Sequence, residues 1–188
     1  WSRSIVPPPI RLSSQQRVFL ARLARRTWRY FETYVSAEEN WLPPDNIQEH
    51  PALAIASRTS PTNIGMALLA NLAACDFGYC SVGQFLDRTQ KTFDALGRMD
   101  RYRGYFYNWY DTRSLKPLRP HYVSTVDSGN LVGHVLVLRR GLLELAENKL
   151  PPPRVAGGLR DTLHVLIDAA RGRAKTGKDV GAPTVPTE

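Results

Sequence analysis

Two groups of side chains in this sequence have the types and spacing to work on a ligand. The first is Tyr107-Asn108-Trp109-Tyr110-Asp111, where aromatic rings stand beside an amide and a carboxylate. Such a set suits a ligand with apolar C–H faces and polar edges, because rings cover the faces while amide and carboxylate bond the edges. In an extended segment, alternation puts Tyr107, Trp109 and Asp111 on one side and Asn108 and Tyr110 on the other. A purely structural reading competes: Trp109 and Tyr110 plug a wall, and Asp111 closes an Asx turn with Arg113.

The second group comes from two separate helix starts. Arg58, Thr59, Ser60 and Asn63 surround one, and Asp127, Ser128 and Asn130 surround the other. Ser60, Asp127 and Ser128 read equally well as N-caps. Asn130 falls in the first turn of a buried helix, where an amide needs a partner, and Arg58 suits a ligand or a carboxylate. Trp41, Asp45 and Glu49 add a ring and two carboxylates from an earlier loop. Asp111 and Asp127, flanking the aromatic run, are the candidate catalytic groups, with Asp45 and Glu49 behind them.

Five helices must position these residues. Ser13 and Gln16 form a capping box, after which Leu20, Ala24, Trp28, Phe31 and Val35 recur at helical spacing, so an amphipathic helix is expected over about 14–36. Ser60 and Pro61 open a second helix that is apolar almost all round from 64 to 74, hence buried. Ser81 and Gln84 cap a third, ending at Gly97, with Phe85, Leu86, Thr89, Phe93 and Leu96 on one face. A fourth is expected from Asp127 or Ser128, again mostly buried. A fifth follows the Pro151–Pro153 break, with Leu159, Thr162, Leu163, Leu166 and Ala170 as its apolar stripe. Domain limits follow: a linker over 1–13, a helical domain over 14–172, and a disordered tail over 173–188.

The order is outer, inner, outer, inner, outer, and the outer-to-inner loops, 36–58 and 98–126, are the long aromatic ones. Antiparallel neighbours would gather both long loops at one end, beside the free N–H groups of the two buried helices. Alternation of this kind is what a toroid with inner and outer helical rings displays, and 188 residues supply only part of such a ring. The chain reads as an excised piece, starting at Trp1 without a signal peptide.

A formal charge of +8 would suit nucleic acid or an acidic membrane, but the basic residues are scattered. Their densest run, Arg22, Arg25, Arg26 and Arg29, reads as a solvated helix face or a phosphate contact. No nucleic-acid partner is expected. His50, His121, His134 and His164 follow no metal-ligand spacing, and no phosphate loop is present, so neither metal nor cofactor is expected. Cys75 and Cys80 read as reduced thiols.

Three strings, Arg58-Thr-Ser-Pro-Thr-Asn-Ile-Gly65, Tyr107-Asn-Trp-Tyr-Asp-Thr112 and Val123-Ser-Thr-Val-Asp-Ser-Gly-Asn130, resemble the central region of cyclic β-1,2-glucan synthases. Arg26–Glu32 and Asn40–Asn46 extend the resemblance, which spans about residues 10 to 170. It implies the first half of a glycoamylase-like (α/α)6 toroid, all-α, that rearranges β-1,2-glucan into cycles by transglycosylation. A sugar has the hydroxyl edges and C–H faces described above. The resemblance also implies a large inner-membrane synthase whose other domains are partners, with this domain soluble and facing the cytoplasm. Its later glutamate-bearing segments are not recognisable here, so the main carboxylates are expected outside the chain. The alternative function is a non-catalytic glucan-holding module of the same synthase.

Overall fold

The structure, a computed structural model, describes residues 11–147 and 153–176. Its helices are α1 (Ser14–Tyr34), α2 (Pro61–Asp76), α3 (Val82–Arg98), α4 (Thr125–Glu147) and α5 (Pro153–Thr176). The long connections contain three two-residue strand pairs: β1 (Ile47–Gln48) with β2 (Ala54–Ile55), β3 (Arg58–Thr59) with β6 (Tyr110–Asp111), and β4 (Arg101–Tyr102) with β5 (Tyr105–Phe106). No described helix is long and apolar enough to cross a membrane.

Short-range chemistry sets most helix starts. Both capping boxes form, Ser13 with Gln16 and Ser81 with Gln84, and Ser60 caps α2 ahead of Pro61. Each cap contributes about 1 kcal/mol by satisfying a free N–H group. The fourth helix departs from the expectation of a cap at Asp127 or Ser128. Ser124 Oγ accepts from Asp127 N at 3.1 Å, so Ser124 caps and the helix begins at Thr125. The same three-residue reach as in the capping boxes explains the shift, and it frees the Asp127 carboxylate for other bonds.

Helices α2 and α4 lie side by side and parallel. Thr62 meets Asp127 and Asn130, Gly65 meets His134, and Leu72 meets Gly141, so the contacts advance together along both helices. Gly65 is required by this approach: a Cβ there would sit 2.9 Å from His134 Cγ and 3.0 Å from its Cβ. Leu42, Ile64, Leu96, Met99, Tyr110, Leu115 and Leu131 form one core under the long loops. Leu68, Cys75, Phe85 and Leu138 form a second core further along the pair. Outside them, α1 and α3 pack on α2, as expected for outer helices.

Several burial expectations fail, each for a packing reason. Helix α2 is buried as expected, but α4 buries only Leu131 and Leu138 and exposes Val132, Leu136, Val137 and Leu143. Among the described residues its main packing partner is α2, and its apolar surface extends beyond that contact. On α3, Leu86 and Phe93 are exposed while Thr92 and Ala95 take their place in the core. Leu20 of α1 is exposed.

Helix α5 packs on α1, and its expected stripe, Leu159, Leu163 and Leu166, faces outward. The inward face is instead small or polar. Gly158 abuts the Phe77 and Gly78 carbonyls, where no side chain fits, and Asp161 is buried near Tyr79. Arg22 and Arg26 reach Asp168, and Arg25 bonds Thr162 and Glu32, so these three tie α1 to α5, while Arg26 and Arg29 are exposed as expected of a solvated face. The helix runs on to Thr176, into the segment expected to be tail; residues 177–188 and the linker residues 1–10 lie outside the described residues.

Candidate functional site

Both long loops meet at the N-terminal ends of α2 and α4. The β3–β6 pair joins them directly, with Arg58 opposite Asp111 and Thr59 opposite Tyr110. Glu39, in the 3-10 turn Ala37–Glu39, is a second fastening that the sequence reading missed. Its carboxylate is 3% exposed and accepts from Ser57 Oγ at 2.9 Å, Arg113 Nε at 3.2 Å and the Thr112 hydroxyl. One buried acid thus anchors residues on either side of the β3–β6 pair. Nothing in the sequence separates Glu39 from its exposed neighbour Glu38.

Asp127 is the centre of the site. Its Oδ1 accepts from Thr62 Oγ1 at 2.7 Å, and Thr62 in turn accepts from Asn130 Nδ2 at 3.1 Å. Its Oδ2 accepts from Asn108 at 2.8 Å when that amide is oriented to satisfy its surroundings. In this orientation the Asn108 oxygen accepts from Trp109 Nε1 at 2.9 Å and from the Tyr122 hydroxyl at 2.7 Å; the reverse leaves only the Tyr122 contact. Partial burial pushes the Asp127 carboxyl up, but hydrogen bonds from Ser124, Thr62 and Ser60 outweigh it and hold the group below the usual Asp value of 3.8. Asp127 is therefore a fixed anion linking α2, α4 and the aromatic loop.

Beside it lies a second polar group. Arg58 Nη2 and Nε reach Asp45 Oδ2 at 2.9 and 3.1 Å, and Asn63 Nδ2 donates to Asp45 Oδ1 at 3.3 Å. The Arg58 guanidinium also covers the Trp109 ring, 5.3 Å from its centroid. Arg58 is half exposed, so pairing and stacking contribute only about 1 kcal/mol each. Trp109 is consequently clamped, with its N–H on Asn108 and one face under a cation.

The alternation expected along the aromatic run holds: Asn108 and Tyr110 are buried, while Tyr107, Trp109 and Asp111 are half-buried. Tyr110 is fully buried, and its hydroxyl donates to Asp100 O and accepts from Tyr107 N, both at 2.7 Å. It is a core residue and cannot reach a ligand. Asp111 Oδ1 accepts from Arg113 N, Ser114 N and Ser114 Oγ, which is the turn-closing role. Burial raises its carboxyl, yet those bonds bring it below the usual value.

Other candidates also fall away from the site. Trp41, at a positive φ of 59°, has its ring against Lys91 and Arg88 of α3. Thr59 is fully buried, and Ser60 is spent on capping α2 and on Asp127. Ser128 Oγ donates to Ser124 O at 2.8 Å and lines an aromatic pocket described below. Glu49 lies near His50 and the arginines of α1 instead. Arg58, Asn63, Asp45, Asn108, Trp109, Asp127 and Asn130 are the expected residues brought together.

Parallel inner helices, outer helices packed around them, and long loops gathered at the inner N-termini define an arc of a glucoamylase-like (α/α) toroid. Solved structures share this fold: a proposed glucoamylase of Bacteroides fragilis (TM-score 0.56, 20% identity, 86% of this chain and 37% of that one) and an endo-β-1,2-glucanase of Chitinophaga pinensis in complex with sophorotriose and glucose (TM-score 0.55, 18% identity, 81% and 36%). No family model matches. The sequence itself is similar to the cyclic β-(1,2)-glucan synthase NdvB of Rhizobium meliloti, 46% identical over 153 residues that cover 80% of this chain. The resemblance read from the three strings holds, and the chain spans 5% of that synthase's length.

Proposed function

We propose that this chain binds β-1,2-linked glucan at the junction of its two long loops and serves a cyclic β-1,2-glucan synthase in transglycosylation, the step that closes the ring. The observation that carries the reading is the clamped Trp109, whose ring is fixed between Arg58 and Asn108 next to the Asp127 anion. A ring held in one orientation offers a platform for a sugar face, and Asn130, Asn63 and Asp45 offer edge-bonding groups around it. Similarity to the synthase supports β-1,2-linkage as the linkage recognised.

Glycoside transfer needs a carboxyl that is protonated at the working pH as well as an ionised one. Asp111 and Asp127 are both held below the usual value by donors, so neither suits the acid. Their part in this reading is to position loop and sugar, and the proton donor comes from residues outside the chain. The same observation favours the second reading, a glucan-holding module without chemistry of its own. The two differ in the whole synthase: Trp109→Ala stops cyclisation and spares elongation if the site serves transfer, whereas a holding module loses chain length instead.

Calorimetric titration of the 188-residue chain with linear β-1,2-, β-1,3- and β-1,4-gluco-oligosaccharides tests binding itself. Selective β-1,2 binding that Trp109→Ala weakens about tenfold is expected. Equal binding of all three linkages, or none, refutes the reading.

A further inference from the structure

Next to the Asp127 junction, but outside it, lies a cavity of about 620 Å³. That size is within the range of small-ligand sites, roughly 300–1,000 Å³. Tyr102, Tyr105, Tyr107 and Tyr122 supply its rings, and His121 and Ser128 join them. None of these but Tyr107 and Ser128 stood out in the sequence as a site residue.

Three features make this a built pocket rather than a loose aromatic cluster. Its rings are arrayed in sequence: Tyr107 lies 6.5 Å from Tyr102 and 5.2 Å from His121, each pair tilted by 47°. The floor is rigid, since Tyr107 N is bonded by the buried Tyr110 hydroxyl. The Tyr122 wall is fixed twice to Asn108, through Asn108 N to Tyr122 O at 2.9 Å and through the side chains. Asn108 is the residue that also holds Trp109 and Asp127, so pocket and junction share one wall.

The lining also limits what can bind. In a chain of charge +8, no Lys, Arg, Asp or Glu among the described residues lines this pocket, although the Arg103 guanidinium lies over the Tyr102 ring, 5.4 Å from its centroid. The lining itself gives a cation no carboxylate and an anion no cationic side chain, since Arg103 is engaged with the Tyr102 ring. The lining offers ring faces and hydroxyl or imidazole edges, the complement of a neutral polyhydroxylated ligand with C–H faces. Tyr102, Tyr105 and Tyr122 are 49%, 60% and 46% exposed, a large aromatic surface to leave open.

We infer that this tyrosine pocket is a second carbohydrate station, which takes a short neutral oligosaccharide segment of the same glucan held at Trp109. The inference rests on the glucan reading above and extends it: the chain is gripped at two places separated by the Asn108 wall. Such an arrangement makes affinity rise with oligosaccharide length, because a longer ligand engages both stations at high effective concentration.

The test is calorimetric titration of linear β-1,2-gluco-oligosaccharides of increasing length into the 188-residue chain and its variants. Tyr102→Ala/Tyr105→Ala removes two exposed rings, and Tyr105→Phe is the conservative control; far-ultraviolet circular dichroism checks that each is folded. The expected result is about tenfold weaker binding of the longer oligosaccharides by the double variant, with Tyr105→Phe like wild type. Full affinity in the double variant, with Trp109→Ala defective, overturns the pocket and leaves the Trp109 site standing. Loss in the tyrosine variant alone supports the pocket and removes Trp109. No binding by the wild-type chain overturns both.

Discussion

Replacing Gly65 by alanine tests the close approach of α2 and α4, on which the site depends. The new methyl would collide with the His134 ring, 2.9 Å from Cγ, and would also lie 3.0 Å from His134 Cβ, so a side-chain rotation alone cannot clear it. Overpacking of this kind costs about 1–3 kcal/mol. Alanine regains roughly 1 kcal/mol of helix propensity, leaving a net loss of about 0–2 kcal/mol. Gly133→Ala on α4 is the internal control, because a Cβ there meets nothing within 4 Å. It should gain about 0.5–1 kcal/mol. Urea unfolding followed by circular dichroism would show the Gly133→Ala midpoint rising and the Gly65→Ala midpoint falling, the latter by up to about 1 M. His134→Ala in the Gly65→Ala background should restore part of the loss. A Gly65→Ala midpoint that rises as much as the Gly133→Ala midpoint refutes the close approach of these helices.

Glu39→Ala should lower stability by about 3 kcal/mol in urea unfolding, because it strips a buried carboxylate from Ser57, Thr112 and Arg113. Limited proteolysis should then cut within 36–60 before it cuts α2. Tyr110→Phe leaves the Tyr107 N–H and the Asp100 carbonyl without their shared hydroxyl and should cost about 2 kcal/mol, read as a lower unfolding midpoint with unchanged secondary structure. The folded Asp127 carboxyl is held below the usual 3.8, so its contribution to stability is complete above that value and is lost as pH falls through the lower folded one. Asp127→Asn should therefore be less stable than wild type near neutrality and show a flatter decline in urea midpoint between about pH 5 and pH 2.

Local rules made the helix starts legible. Ser13, Ser60 and Ser81 act within three residues of themselves, and they cap where the sequence says they should. Ser124 obeys the same rule but was hidden behind Asp127 and Ser128, which are equally good caps by type. Burial was readable on α2, which is surrounded, and misread on α4 and α5, where the apolar faces exceed the partners present. At the site, alternation sorted Asn108 and Tyr110 from Tyr107, Trp109 and Asp111 correctly. It could not say that the buried side faces core at Tyr110 and the Asp127 network at Asn108. Glu39, Thr62 and Tyr122 escaped because their partners lie far away in the chain, and no local pattern marks a long-range bond.

That distance along the chain has a kinetic meaning. Thr62 finds Asp127 across 65 residues and Thr112 finds Glu39 across 73, whereas α2 and α3 are adjacent and can pair early. Closing larger loops adds little to the free-energy cost, about 0.6 kcal/mol for each doubling, so these ties are affordable at equilibrium. They are slow to find, because non-local contacts must be reached by searching rather than by propagation along a helix. The helices can therefore be native in secondary structure while the loop end is still open. During folding, the loop end that carries Trp109 and Asp127 is the part that comes together last, and a ligand that binds only after the two loops have met would slow its reopening without speeding its closure.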